Sequence, residues 1–165
     1  MLERYVVVDL EMTGLNPRRD RILEIGAARV EHGEVTAQYE TFVNPGVCIP
    51  EKVRELTGIT DEMVKDAPRI SEIHPDFIAF CAADIFVGHN VIFDYSFLKQ
   101  QAVNEKVPFE KKAVDTLKAA RKCMLRPEKK SLECLYKCID KFKRDNCKGE
   151  NKVKYLKEKY PEIIV

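Results

Sequence analysis

YVVVDLEMTG, residues 5–14, places an apolar, β-branched run directly ahead of two acids. Tyr5 to Leu10 predicts a buried strand. Asp9 and Glu11 stand two apart, and in a strand such residues project from the same face. Two carboxylates side by side repel unless a cation neutralises them. Oxygen-only ligation suits Mg²⁺ or Mn²⁺ rather than zinc.

On the C-terminal side of this run, Thr13, Gly14, Asn16 and Pro17 break the strand. Ile22 to Val30 reads as a second strand, with Gly26-Ala27-Ala28 leaving room for close backbone packing. His32-Gly33 is a turn, and Val35 to Val43 a third strand, so the three form an antiparallel meander. After Asn44-Pro45-Gly46, Glu51 to Leu56 predicts a short helix stopped by Thr57-Gly58. Thr60 reads as the N-cap of another, with Asp61 and Glu62 where the helix dipole favours acid and Pro68 as its end. Ser71 to Cys81 has helical apolar spacing, with Pro75 early enough to be tolerated. Ile85–Val87 is a strand, Phe93–Asn104 a helix, Val114-Asp115 a short strand and Thr116–Met124 a helix. Ser131 caps a further helix to about Phe142. This order predicts an α/β fold, a mixed sheet flanked by helices.

The chain has 165 residues, enough for one core, and 45% of them are hydrophobic. No apolar run reaches the ~18 residues that span a bilayer, and no basic, apolar and cleavable leader opens it. The expectation is a cytoplasmic protein without a membrane. The six cysteines contain no C-x-x-C pair and read as free thiols. The net charge of +1 hides an asymmetry. Residues 1–110 carry 11 Lys and Arg against 19 Asp and Glu; residues 111–165 carry 17 against 8. Such a chain can bind cations in one place and polyanions in another, or simply expose a lysine-rich helical surface.

Gly88-His89-Asn90-Val91-Ile92-Phe93-Asp94 follows a strand and opens a helix. Asp94 is therefore expected in the first helical turn, at the carboxyl end of a strand, where open α/β sheets bind ligands. Phe93 and Phe97 lie four apart on one helix face, where Phe97 lines a cleft or fills the core.

Val7-x-Asp9-x-Glu11-x-Thr13-Gly14 together with Gly88–Asp94 resembles the first two motifs of the DEDD 3′-5′ exonuclease family, in its histidine-containing branch. That family includes the proofreading (epsilon) subunit of bacterial DNA polymerase III. Phe42-Val43-Asn44-Pro45, Leu56 to Val64, Asp115-Thr116-Leu117 and Ser131-Leu132-Glu133 continue the similarity. The resemblance implies a ribonuclease H-like fold with a five-stranded mixed sheet. Residues 1–140 would be the exonuclease domain, and 141–165 a divergent basic C-terminal segment of it. It also implies a two-metal hydrolysis of phosphodiester bonds. Asp9, Glu11 and Asp94 would be the catalytic, metal-binding carboxylates for two Mg²⁺ or Mn²⁺ ions. Met12, Thr13, Gly14, Ile59, His89 and Phe93 would bind or position the terminal nucleotide. The implied partners are a single-stranded DNA or RNA 3′ end and a polymerase or other replication or repair protein.

The family's third motif, His-x4-Asp, does not follow. The histidines are His32, His74 and His89, all before Asp94, and the aligned positions hold Cys147 and Lys152. Asp145 with Glu150, or Tyr136 with Asp140, are the substitutes by spacing, so Asp140, Asp145 and Glu150 are candidate fourth ligands. The alternative function is a catalytically degenerate nucleic-acid- or polymerase-binding module on the same fold.

Overall fold

In a computed structural model, which describes residues 3–123, a five-stranded sheet runs in the order β3-β2-β1-β4-β5. The strands are β1 (Arg4–Met12), β2 (Ile22–Glu31), β3 (Glu34–Phe42), β4 (Ile85–Gly88) and β5 (Ala113–Asp115). The helices are α1 (Glu51–Thr57), α2 (Asp61–Val64), α3 (Ile70–Cys81), α4 (Ile92–Glu105) and α5 (Thr116–Cys123). β1, β2 and β3 pair antiparallel; β4 pairs parallel with β1, and β5 with β4. The expected mixed α/β sheet is therefore present. The helix expected from Ser131, the substitutes Tyr136, Asp140, Asp145 and Glu150, and the basic segment 141–165 lie outside the described residues.

The β2–β3 hairpin turns through His32 and Gly33, both at positive φ. That conformation matches the twist of the flanking strands. β1 alternates strictly: Val6, Val8 and Leu10 are buried, while Val7, Asp9 and Glu11 take the other face. The apolar side packs under α3 and α4 with Ile25, Phe77, Phe86, Phe97 and Leu98. Tyr39 on β3 meets the rings of Phe77 and Phe80 at 5.3 and 5.5 Å. Beneath α1 and α2 lies a second cluster of Leu23, Ile49, Ile59 and Val64.

Three local expectations shift. α2 ends at Val64, not at Pro68; the chain already leaves the helix as the Ala67 N–H reaches back to the Val64 carbonyl. α3 starts at Ile70, one residue early, so Pro75 sits in its second turn. Gly26 is not needed for close packing, since a Cβ there would meet the Asp9 carbonyl at an ordinary 3.7 Å. Two other signals hold: Thr60 accepts the Met63 N–H, and Gly58 ends α1 at φ 76°.

Candidate active site

The carboxyl ends of β1 and β4 carry the acids. On β1, Asp9 stands opposite Gly26 of β2, and Glu11 opposite Glu24. One strand further, Gly26 stands opposite Glu40. Asp9, Glu11, Glu24 and Glu40 therefore share one face and line an open groove of about 400 Å³ over β1, β2 and β3. The register slips between Glu11 and Met12, where Leu23 of β2 is left without a partner on β1, a β-bulge beside the second acid.

Asp94 arrives from α4. It is 5% exposed, and its Oδ1 accepts the Leu10 N–H at 3.0 Å. Leu10 is the residue between the two β1 acids, so this bond ties the second motif to the first. Asp94 does not line the groove. Among the described residues, no three His, Cys, Asp or Glu side chains yet stand close enough to form a ligand set for a metal ion.

The acids nevertheless feel one another. Burial, opposed by the Leu10 N–H and its own, and assisted by the charges of Asp9 and Glu11, lifts Asp94 to about 6. Burial, then Asp9 and Glu24, raises Glu11. Burial raises Asp9, partly offset by His89. Burial, then Glu40 and Asp9, raises Glu24. Every one of these carboxylates is less willing to ionise than in water, which is the field a divalent cation relieves. An all-oxygen donor set fits a hard cation.

The loop between β4 and α4 is held from β5. Asp115 Oδ1 accepts the N–H groups of Asn90 at 3.1 Å and Leu117 at 2.9 Å. The Thr116 hydroxyl donates to the Gly88 carbonyl at 3.1 Å, so at 3.2 Å it meets His89 Nδ1 as an acceptor. That places the proton on Nδ1 and leaves Nε2 available. Gly88 has no space to spare: a Cβ would meet the Val8 carbonyl at 2.9 Å and Val91 at 3.0 Å.

The remaining expected residues divide. Met12 and Phe93 are partly buried against the core, and Phe93 meets Phe97 edge-on at 5.5 Å. Phe97 is itself core, 3% exposed. Gly14 lies over Asp20, whose carboxylate occupies the space of a Cβ. Thr13 is buried, and it exchanges hydrogen bonds with Arg21 through its N–H and its Oγ1. Ile59, expected against the terminal base, is instead buried in the cluster under α1 and α2. Reading the sequence alone overlooked Glu24 and Glu40; the period-2 alternation of β2 and β3 in register with Asp9 carried that signal.

The RNase_T exonuclease family model matches residues 6–146. The chain belongs to the exonuclease family. A PolC-type DNA polymerase III of Caldanaerobacter subterraneus subsp. tengcongensis is 42% identical over 117 residues, covering 71% of this chain and 8% of the polymerase. The DNA polymerase III subunit epsilon of Aquifex aeolicus is 38% identical over 130 residues, covering 78% of this chain and 64% of that subunit. The exonuclease chain thus spans less than two thirds of either relative. Among solved structures, exonuclease X in complex with 5′ overhanging duplex DNA superposes with a TM-score of 0.67 at 26% identity. That match covers 82% of this chain and 73% of exonuclease X. Exonuclease I of E. coli with a 5cy-dA13 oligonucleotide shares the fold, at a TM-score of 0.67 and 18% identity. The architecture is therefore the ribonuclease H-like one of exonucleases, and the chemistry class is that of a nuclease.

Proposed function

We propose that this exonuclease domain removes nucleotides from nucleic-acid 3′ ends, using two Mg²⁺ or Mn²⁺ ions held by Asp9, Glu11 and Asp94. The observation that carries this reading is the Asp94–Leu10 hydrogen bond, which fastens the third acid to the backbone between the other two. Such ions supply activation of water and neutralisation of charge on the leaving 3′ oxygen. Asp9, Glu11 and Asp94 would be the residues that hold them. The backbone of Met12, Thr13 and Gly14 faces the 3′ end, with Thr13 fixed by Arg21 rather than free to rotate. His89, its tautomer set by Thr116, lies near enough for its charge to favour ionised Asp9. Phe93 and Met12 offer apolar surface to the terminal base.

The polymerase names of the relatives support a replication or repair setting in the cytoplasm, with a polymerase as partner. Among the described residues, no helix is long and apolar enough to cross a membrane. The substrate is a single-stranded DNA or RNA end. A single strand labelled near its 5′ end tests the reading. Mn²⁺-dependent shortening from the 3′ end, lost in Asp9→Ala, supports it; no shortening at high protein concentration overturns it.

One observation favours a second reading. No His-x4-Asp follows Asp94 in the sequence. Losing a general base costs ~10²–10⁴ in rate, and a domain so weakened acts as a binding module. Binding of a labelled strand without any metal-dependent shortening identifies that case.

A further inference from the structure

Resting on the nuclease reading, we infer that Glu24 is a fourth carboxylate for the divalent cations, with the bare backbone of Gly26 as the floor that lets a cation reach it. Glu24 stands opposite Glu11, and Gly26 stands between Asp9 on β1 and Glu40 on β3. In antiparallel strands, Cβ atoms directly opposite are about 5 Å apart and diagonal neighbours about 7–8 Å. Glu24 is the direct neighbour of Glu11 and the diagonal neighbour of Asp9. Its side chain has one methylene more than an aspartate, which gives it the reach for that diagonal.

Gly26 keeps the middle of this row open. Among the described residues, and apart from its chain neighbours, a Cβ there would meet the Asp9 carbonyl oxygen at 3.7 Å and no other atom within 4 Å. Gly26 is not at positive φ either, so neither backbone conformation nor packing calls for a glycine. A glycine inside a strand weakens it and often marks the close approach of a ligand. The space above belongs to the groove of about 400 Å³, whose described lining contains Asp9, Glu11, Glu24 and Glu40 and no Lys, Arg or His. Among the described residues, none of these four carboxylates is in an ion pair, whereas Glu31, Glu51, Glu62 and Glu110 each are. As placed, no three of them grip an ion, and the lack of a cationic partner leaves them free to close on one.

Charge balance points the same way. Two divalent ions carry four positive charges, and Asp9, Glu11 and Asp94 supply three negative ones. No His-x4-Asp follows Asp94 in the sequence to supply the fourth. Glu24 makes the balance even, and its oxygens suit a hard cation. Glu40 lies one strand further from Glu11 and is exposed, so it adds to the field rather than to the ligands.

Mn²⁺ binding to the full chain, followed by calorimetry without nucleic acid, tests this. Glu24→Gln raises Kd for Mn²⁺ at least ~10-fold, or loses one of the two ions. Glu34→Gln, at the far end of β3, changes neither. Gly26→Ala weakens Mn²⁺ several-fold yet melts in EDTA as the parent does, because the methyl group fits the fold but stands in the cation's path. Glu24→Gln melts in EDTA at or above the parent, since a repelling charge is gone. Mn²⁺ binding by Glu24→Gln equal to that by Glu34→Gln overturns the proposal, and so does weaker binding that comes with a lower melt in EDTA, the mark of a structural role. Gly26→Ala binding Mn²⁺ like the parent overturns the floor. A parent that binds no Mn²⁺ overturns the fourth ligand together with the other three. A parent that binds Mn²⁺ through Glu24 but shortens no strand defeats the nuclease reading alone.

Discussion

The Asp94 carboxylate accepts the Leu10 N–H across 3.0 Å, so the helix acid is anchored to the strand between Asp9 and Glu11. The bond fixes where the carboxylate sits and favours its charged form, but burial outweighs it and lifts the acid to about 6.

Asp94→Asn keeps an oxygen for Leu10 and removes the charge. In the folded protein the acid holds its proton up to about 6, against an ordinary 3.8. The folded state therefore binds more protons than the unfolded chain in that window, and stability of the metal-free protein falls as pH rises through it. Above it, the variant is more stable than the parent by on the order of 1–3 kcal/mol. The gain vanishes as pH drops towards 4. Urea melts at several pH values in EDTA measure this, and the same variant loses nuclease activity by at least ~10²-fold.

Divalent cations reverse the balance. Mg²⁺ or Mn²⁺ bound by the acids stabilises the folded protein by RT ln(1 + [L]/Kd), about 2.7 kcal/mol at a hundred times Kd. Thermal melts with increasing Mn²⁺ show a rise in Tm for the parent. Asp9→Ala flattens the curve, and so does Asp94→Asn.

Gly88→Ala drives a methyl group into the Val8 carbonyl at 2.9 Å, a backbone atom that cannot swing aside. β1 and β4 must separate beside Asp9. The expected cost is about 1–3 kcal/mol, read by denaturant melts, with a larger fall in kcat than stability alone explains. Gly14→Ala is milder despite a 2.5 Å approach, because the Asp20 side chain can move.

Thr116→Val removes the hydroxyl that bridges the Gly88 carbonyl and His89. Stability drops by about 1 kcal/mol. The imidazole proton is no longer directed to Nδ1, so its NMR tautomer signature changes along with a several-fold loss of rate. Thr116→Ser restores both.

Much of this was legible in the sequence because β1 states its own geometry. Val6, Val8 and Leu10 alternate with Asp9 and Glu11, and the pattern gives strand, face and acids together. Asp94 was legible from the strand-turn-helix punctuation around Gly88. Ile59 was not: its motif said nothing of the second cluster, which forms only when α1 and α2 fold back over Leu23. Glu24 and Glu40 escaped because a cross-strand row depends on register, and the bulge after Glu11 has no residue signature.

The alternation of β1 has an evolutionary consequence. One inserted or deleted residue between Arg4 and Asp9 would turn the acids inward and the valines outward. Packing and chemistry are thus written in a single reading frame of side chains. A lineage abandoning catalysis could exchange the acids one at a time, but it could not shift the strand to do so without losing the fold.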